Sequence, residues 1–336
     1  GVARGDVIVT IDGQFLTKDN YFELYRQTTA TFGFGSFNGT NPVPDGREIT
    51  LTAQELNLNP FVHHEVIDYE GYKIGYVVYT SFVPGPNGEW LDEMDVVFGS
   101  FKDAGVSDVV IDVRYNGGGY GFVTEKLASI LGPESAVSNN SVFSRQFWND
   151  GFTQYWKDAD LDEDGKADGE ESPQLVSRFP DTDLNLNMSS LYFLTTGRSA
   201  SASELIMVGL YPYAEVVQIG TTTYGKCYGS VTIDDWETPK RHNWAMQPIV
   251  QKVANADGYT DYVRGLDPDH EVVDFLLAAE PFGSLYDPLL GKALELISGV
   301  APAVKKSAAP QWQFEEIPVP RKHIPELKLD KLPSFK

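Results

Sequence analysis

The sequence predicts an α/β fold in which helices cover both faces of a largely parallel sheet. From residue 72 onward, apolar strand patterns alternate with amphipathic helix patterns, as in chains built from strand–helix–strand units. Such regular alternation favours strands that are buried on both faces. With 336 residues, of which 42% are hydrophobic, the chain is long enough to enclose a sizeable core.

Residues 1–58 precede this alternation and form the first predicted domain. They contain a strand pattern, VIVTIDG, a polar helix-like stretch over 18–26 and a second strand pattern, EITLTAQEL. This combination looks like half of a small β-rich module.

Residues 59–299 form the predicted main domain. KIGYVVYTSF predicts a strand, WLDEMDVVFGSFKDAG a helix and SDVVIDVRYN a second strand, so these three segments imply a parallel crossover. Four further elements are expected: a helix over 122–131, a strand over 191–195, a helix over 201–211 and a strand over 215–219.

Two segments do not follow the alternation. Residues 134–187 are long, polar and Asp-rich for a connection, and we expect this insertion to interrupt the core without extending it. Residues 300–336 are rich in Pro and Lys but have little periodicity, which predicts an extended tail.

Charge and hydropathy exclude two classes of partner. The net charge of −22 and the absence of a Lys/Arg cluster argue against nucleic acid, because phosphate binding needs clustered cations. No run of about 18 apolar residues occurs, so we expect no membrane-spanning segment in the chain. Cys227 is the single cysteine and cannot form an internal disulfide.

The segment TTGRSASASELIMVGL, residues 195–210, carries the first chemical signal. An apolar strand pattern ends in small residues, and a helix pattern then begins. A serine at that junction lies beside backbone N–H groups without intrahelical partners, where the helix dipole favours developing negative charge. Ser199, Ser201 and Ser203 are all candidates, and each could equally serve as a simple N-cap.

Two further segments complete the chemistry. TTTYGKC places Lys226 just after a strand pattern, and an enclosed lysine can lose its proton near neutral pH and act as general base to a serine. VVIDVRYNGGGY runs a strand into three glycines, whose backbone N–H groups can line an oxyanion hole, although a tight turn would look the same. Asp112 and Arg114 within this segment are expected to pair with each other.

Five segments resemble the tail-specific, or C-terminal-processing, serine peptidases of family S41 from bacteria: GVARGDVIVTIDGQ, VIDVRYNGGG, GRSASASE, GTTTYGKCYGS and RGLDPDHEV. The resemblance implies a ClpP/crotonase-like core and identifies residues 1–58 as the C-terminal part of a PDZ domain. It also implies that Ser201 is the nucleophile, that Lys226 is the base, and that the N–H groups of Ala202 and of Gly118 or its neighbour form the oxyanion hole.

The same resemblance sets expectations about substrates and location. Unfolded or C-terminally exposed proteins would be cleaved through an acyl-enzyme, without a cofactor for catalysis, in the bacterial cell envelope. Many members carry a glutamine shortly after the lysine; here the run is KCYGSVT, so Ser230 or Thr232 would substitute or the role would be absent. Glu204, at the start of the helix, is assigned to stabilisation of the helix dipole.

Two other functions are compatible with parts of this pattern. A catalytically silent peptide-binding scaffold would retain the fold and explain the missing glutamine. A crotonase-like acyl-CoA enzyme would use a similar glycine loop, although the PDZ-like segment and the TYGK motif argue against it.

The acidic insertion contains a calcium-binding pattern. DLDEDGKADGEE, residues 160–171, has acidic residues and a glycine at the spacing of an EF-hand loop. The predicted ligands are Asp160, Asp162, Asp164, the backbone carbonyl of Lys166, Asp168 and Glu171. Because this loop lies outside the serine and lysine motifs, its ion is expected to have a structural role.

Overall fold

A computed structural model describes residues 2–38, 41–235, 237–274 and 279–302, together with the backbone of residues 327–328. The N-terminal module is a four-stranded antiparallel sheet in the order β2-β1-β3-β4. Its elements are β1 (Val7–Ile11), β2 (Gln14–Phe15), α1 (Tyr21–Tyr25), β3 (Thr29–Phe37) and β4 (Pro42–Thr52). This part of the chain is therefore β-rich, as predicted.

The central sheet has six strands in the order β14-β11-β10-β7-β6-β5. These strands are β5 (Phe61–Tyr69), β6 (Tyr72–Tyr79), β7 (Asp108–Asp112), β10 (Ser190–Thr195), β11 (Glu215–Gly220) and β14 (His270–Glu271). All neighbours are parallel except β5, which forms an antiparallel hairpin with β6. The predicted parallel crossover from β6 to β7 is confirmed.

Helices cover both faces of this sheet. Four helices belong to the same α/β unit: α2 (Glu89–Ala104), α3 (Gly121–Leu131), α6 (Ala202–Leu210) and α7 (Pro288–Ser298). Residues of α2, α3 and α6 pack in one core cluster with Val109 and Ile111, whereas α7 packs on the opposite face with Val110. Successive residues of β7 thus point to opposite faces, and both faces are buried, which explains the apolar strand patterns.

The acidic insertion builds part of a second sheet. It contains α4 (Glu134–Ser138), β8 (Val142–Trp148), α5 (Asp150–Asp158), a 3₁₀ turn (Gly169–Glu171) and β9 (Val176–Arg178). With β12 (Tyr228–Ser230), β13 (Ile249–Asn255) and β15 (Leu327–Lys328), these strands form a sheet in the order β15-β12-β13-β8-β9.

The expectation that this insertion leaves the core unextended is wrong. Phe143 and Phe179 from the insertion are fully or almost fully buried in the cluster that contains α3 and α6. The predicted tail over 300–336 lies mostly outside the described residues; its two described strand residues pair in parallel with β12. None of the helices in the described part of the chain combines the length and apolarity needed to cross a bilayer.

Candidate active site

The serine, lysine and glycine segments meet at one edge of the central sheet. Strands β7, β10 and β11 are parallel neighbours, so the loops that follow them leave the sheet at the same edge. This is where ligands bind in open α/β sheets. The sequence motifs, which are separated by up to about a hundred residues, are therefore brought together by the strand order.

Ser201 is the N-cap of α6 and has an uncommon backbone conformation, with φ +59° and ψ −111°. Its side chain is 2% exposed, and its Oγ makes no hydrogen bond to any residue that the structure describes, Lys226 included. A non-glycine residue at positive φ stores backbone strain, and such residues concentrate at functional sites.

The two flanking serines have different surroundings. Ser199 Oγ donates to the carbonyl oxygen of Val113 at 2.8 Å, and Ser203 Oγ donates to the carbonyl oxygen of Asn116 at 2.9 Å. Both hydroxyls join α6 and its preceding turn to the strand-to-glycine segment. Of the three candidate serines, Ser201 is thus the one whose hydroxyl is not committed to a backbone carbonyl.

The glycine loop packs directly against Ser201. Gly118 has φ +107°, and a Cβ at this position would lie 2.8 Å from the Ser201 Cβ and 3.0 Å from the Ala202 nitrogen. This contact brings both predicted oxyanion donors next to the candidate nucleophile. The Gly118 N–H is itself hydrogen-bonded to Asn116 Oδ1 at 2.8 Å in this conformation.

Asn116 holds this loop in place and was not identified from the sequence. Its side chain is fully buried and donates through Nδ2 to the carbonyl oxygen of Tyr79, while its own carbonyl accepts from Ala200 N–H. The residue therefore connects β6, the glycine loop and the turn that carries Ser201.

Glu204 is the residue that links the serine segment to the lysine segment. Its fully buried carboxylate accepts four hydrogen bonds: Oε2 from the N–H groups of Ser201 and Lys226, both at 2.8 Å, and Oε1 from Thr223 Oγ1 at 2.5 Å and Gly225 N–H at 2.6 Å. The expectation that Glu204 serves the helix dipole is therefore incomplete.

The ionisation of Glu204 is governed by two opposing effects. Burial raises the pKa of its carboxyl group, and the four donors oppose that shift because they favour the charged form. The sequence does contain a signal for this residue. ASELIMVGL is otherwise a continuous small or apolar helix, and a glutamate is almost never fully buried there unless it has partners.

The lysine loop is held from two sides. Lys226 is anchored through its N–H on Glu204, and the Cys227 carbonyl accepts from Val253 N–H on β13 at 2.9 Å. The RGLDPDHEV segment packs behind it, since Thr223 N–H donates to the Leu266 carbonyl and Leu266 N–H donates to Thr223 Oγ1. The Lys226 backbone is thereby fixed next to the start of α6.

A buried ion-pair network lies beneath the glycine loop. Arg114 is 0% exposed and pairs with Asp112 at 2.8 Å and Asp287 at 3.0 Å, so the predicted Asp112–Arg114 pair is confirmed. Asp287 is also the N-cap of α7. Arg4, from the N-terminal segment, reaches the same group through Asp274 at 3.1 Å.

The predicted calcium ligands are brought together in part. Carboxylate oxygens of Asp160, Asp162 and Asp168 lie within 4.8 Å of one another, at a distance that suits a shared cation. Asp164 is not in that group and accepts instead from Lys166 N–H. Glu171 is also outside that group and pairs with Arg178 on β9.

The two predicted substitutes for the missing glutamine differ in burial. Ser230 is 3% exposed and its Oγ has no hydrogen-bond partner among the described residues, whereas Thr232 is exposed. Thr232 is therefore poorly placed for a role inside the site.

Comparison with known proteins defines the class that this fold and site represent. The family model described as peptidase family S41 matches residues 73–272, which is more than half of the chain. The chain belongs to peptidase family S41, a family of proteases. None of the curated proteins compared with the chain matches it.

The chain is also similar to several solved structures. A Bacteroides fragilis NCTC 9343 protein assigned to the S41 proteases has a TM-score of 0.72 and 27% identity, over 90% of this chain and 75% of its own. The photosystem II D1 C-terminal processing protease has a TM-score of 0.45 and 19% identity, over 80% of this chain and 63% of its own. Mature CPAF complexed with lactacystin has a TM-score of 0.44 and 12% identity, over 88% of this chain and 77% of its own.

Proposed function

We propose that the protein is a serine endopeptidase with a Ser201/Lys226 dyad. The observation that carries this proposal is the arrangement around Glu204, which holds the Ser201 and Lys226 backbones on one carboxylate oxygen. Ser201 also has an uncommitted hydroxyl at the N-terminus of α6, next to the glycine loop. This combination supplies a nucleophile, backbone N–H donors and a lysine whose backbone is anchored beside that of the nucleophile.

The proposed reaction has two halves. Neutral Lys226 takes the Ser201 hydroxyl proton while Oγ attacks the peptide carbonyl carbon, and the N–H groups of Ala202 and Gly118 bind the oxyanion. The C–N bond then breaks, and the Lys226 ammonium returns the proton to the leaving amine. Water hydrolyses the ester in the second half, with Lys226 again accepting a proton, and Ser201 is regenerated.

Oxyanion binding requires a change from the conformation described here. Because the Gly118 N–H is bonded to Asn116 Oδ1, it must turn toward the substrate, or the N–H of the neighbouring Gly119 must take its place. Gly119 has φ +150°, a conformation that glycine adopts with little strain.

The proposal extends to substrates, location and domain organisation. The substrates would be unfolded or C-terminally exposed proteins, cleaved in the bacterial cell envelope. Residues 1–58 would be the C-terminal part of a PDZ domain, residues 59–299 a ClpP/crotonase-like peptidase core, and residues 300–336 an extended tail. The β-rich sheet of the first module and the family assignment support this division.

We also propose a structural calcium ion in the 160–171 loop. The support is the convergence of Asp160, Asp162 and Asp168 together with the twelve-residue spacing. Asp164, the Lys166 carbonyl and Glu171 would complete the oxygen shell, and Glu171 would have to leave Arg178 to do so.

The decisive experiment compares Ser201→Ala, Lys226→Ala and the matched control Ser199→Ala in cleavage of fluorescent casein. The first two should lower kcat by several orders of magnitude without changing the melting temperature, and the control much less. Wild-type activity should rise with pH as Lys226 loses its proton.

Labelling by a fluorophosphonate provides a second measurement that does not depend on the choice of substrate. It should modify the wild-type protein at Ser201 and fail with Ser201→Ala. A catalytically silent scaffold would show neither cleavage nor labelling. Modification at Ser199 instead would mean that the nucleophile is misassigned.

A further inference from the structure

The outer edge of β12 carries a strand from the C-terminal segment of the same chain. β12 pairs on one side with β13 and on the other with β15, in which Leu327 lies opposite Gly229 and Lys328 opposite Ser230. The strand order β15-β12-β13-β8-β9 places β15 at the end of the second sheet. Without β15, β12 would present unpaired backbone groups, and such an edge is a template for another extended chain.

This edge lies beside the proposed catalytic groups. β12 begins two residues after Lys226, so the edge starts within about 7 Å of that residue along the chain. The backbone nitrogens of Lys226 and Ser201 are each 2.8 Å from Glu204 Oε2, and the two backbones are therefore close neighbours. An extended chain that pairs with β12 and continues past its first residue reaches the region of Ser201.

The direction of the pairing matches the direction that a substrate must have. In the proposed reaction, the Lys226 ammonium gives a proton to the leaving amine, which belongs to the residue after the scissile bond. The rest of the leaving segment must then run away from Lys226. β12 also runs away from Lys226, and β15 is parallel to β12. The C-terminal segment thus has the orientation of a leaving segment.

Charge and chain length favour this intramolecular contact. Residues 300–336 contain seven Lys or Arg residues and four Asp or Glu residues, whereas the preceding 299 residues contain 19 and 44. The tail is therefore basic and the rest of the chain strongly acidic, so the two attract each other at moderate ionic strength. Leu327 follows Pro302 by 25 residues, a length of chain that can span up to about 80 Å.

We propose that the outer edge of β12 binds the substrate residues that follow the scissile bond, and that the C-terminal tail is an intramolecular ligand of the same edge. The proposal rests on the Ser201/Lys226 peptidase proposed above. Substrate adds a strand to β12, and the tail occupies this edge through Leu327 and Lys328. The tail must leave the edge before substrate binds, and it therefore acts as a competitive inhibitor.

Tethering determines the size of this inhibition. A tethered ligand has an effective concentration on the order of 1 mM. A strand whose Kd for the edge is about 0.1 mM would then occupy it in about nine of ten molecules. Because only the remaining molecules are ready to bind substrate, the apparent KM is raised about tenfold, whereas kcat at saturating substrate is unchanged.

The test replaces Leu327 and Lys328 together by proline, which removes both backbone N–H groups from the added strand. The matched control replaces both by alanine and keeps the N–H groups. In cleavage of fluorescent casein, the double proline variant should have a KM about tenfold lower at unchanged kcat, and the double alanine variant a KM within about twofold of wild type. A wild-type KM in the proline variant would overturn the inhibitory role, and equal changes in both variants would overturn backbone pairing.

Hydrogen exchange measures the pairing without relying on activity. The β12 amides that face β15 should exchange about tenfold faster in the proline variant, and at the wild-type rate in the alanine variant. A synthetic peptide of residues 323–336, added to the proline variant, should restore their protection and inhibit casein cleavage competitively, whereas a scrambled peptide should do neither. Unchanged exchange in the proline variant would show that the tail does not occupy β12.

These measurements separate a failure of this proposal from a failure of the proposed peptidase. If no variant cleaves casein or reacts with the fluorophosphonate, but β12 loses protection in the proline variant, the peptidase assignment is wrong and the position of the tail is supported. If cleavage depends on Ser201, but the proline variant changes neither KM nor exchange, the peptidase assignment stands and the tail proposal is wrong.

Discussion

Replacement of Glu204 tests whether one carboxylate connects the nucleophile to the base. The four groups that it binds are all donors, and three of them are backbone N–H groups that cannot turn away. Leaving a buried N–H unpaired costs about 1–3 kcal/mol, so Glu204→Ala would lose about 3–9 kcal/mol from these three groups. That loss approaches the whole stability of many domains, and alanine is therefore an unsuitable probe.

Glu204→Gln keeps the shape of the side chain and gives a measurable effect. In its least costly orientation the amide NH₂ faces Thr223, whose hydroxyl can reverse and accept, and the Gly225 N–H stays unpaired. The unfolding free energy should fall by at least about 1–3 kcal/mol. Because the Lys226 loop loses a charged anchor, a shift of about 1 Å should lower kcat by about 10²-fold.

The assay combines urea unfolding with cleavage of fluorescent casein. Glu204→Asp separates the two explanations, because it keeps a charge at the helix N-terminus but is too short to reach all four donors. Exposed Glu215→Gln on β11 is the control and should change neither measurement. If Glu204→Asp retains wild-type stability and turnover, the residue serves the helix dipole and the bridging role is wrong.

Two further perturbations address other parts of the molecule. Arg114→Met should lower the unfolding free energy by about 3–5 kcal/mol in urea titrations, because Asp112 and Asp287 would stay buried without a counter-charge. The control is Arg47→Met, at an exposed pair with Asp45, which should have little effect on the unfolding free energy. Equal effects of the two substitutions would show that the buried network is not structural. Calcium at about 100 times its Kd should stabilise the wild-type protein by about 2.7 kcal/mol in the same titrations. Asp160→Asn should abolish this stabilisation without changing casein cleavage. Calorimetry that detects no calcium binding would exclude the site.

Local sequence patterns were sufficient for most of the elements that form the central sheet and its helices. The apolar runs that became β7, β10 and β11 are buried on both faces, so their hydrophobicity reports their position directly. Strands β3 and β5 are among those that this approach missed. In β3, Gly33 and Gly35 weaken the strand pattern, and β5 is an edge strand whose charged and histidine residues hide its alternation.

The second sheet could not be predicted because its pairing is long-range. Strand β8 of the insertion pairs with β13, more than a hundred residues later, and no local pattern in either strand identifies the other as its partner. The Asp-rich composition of the insertion predicts a solvent-exposed segment. Phe143 and Phe179 of the same insertion are instead buried and attach it to the core.

The site shows the same division between local and long-range information. Small residues before an apolar helix limit the candidate nucleophile to a few serines. The structure distinguishes these serines by showing which hydroxyls are bonded to the glycine-loop strand. That strand is about ninety residues away. The buried polar groups that hold the site, Asn116 and Glu204, lie inside buried segments, and their partners lie on other elements.

Such residues are costly to bury, and this cost makes them informative. A surface polar residue needs no explanation, whereas a fully buried one must have partners or a task. Asn116 and Glu204 have their partners within the described structure, and these partners are the backbones that define the site. Their burial, which costs free energy unless it is compensated, therefore marks Asn116 and Glu204 as residues that build the site.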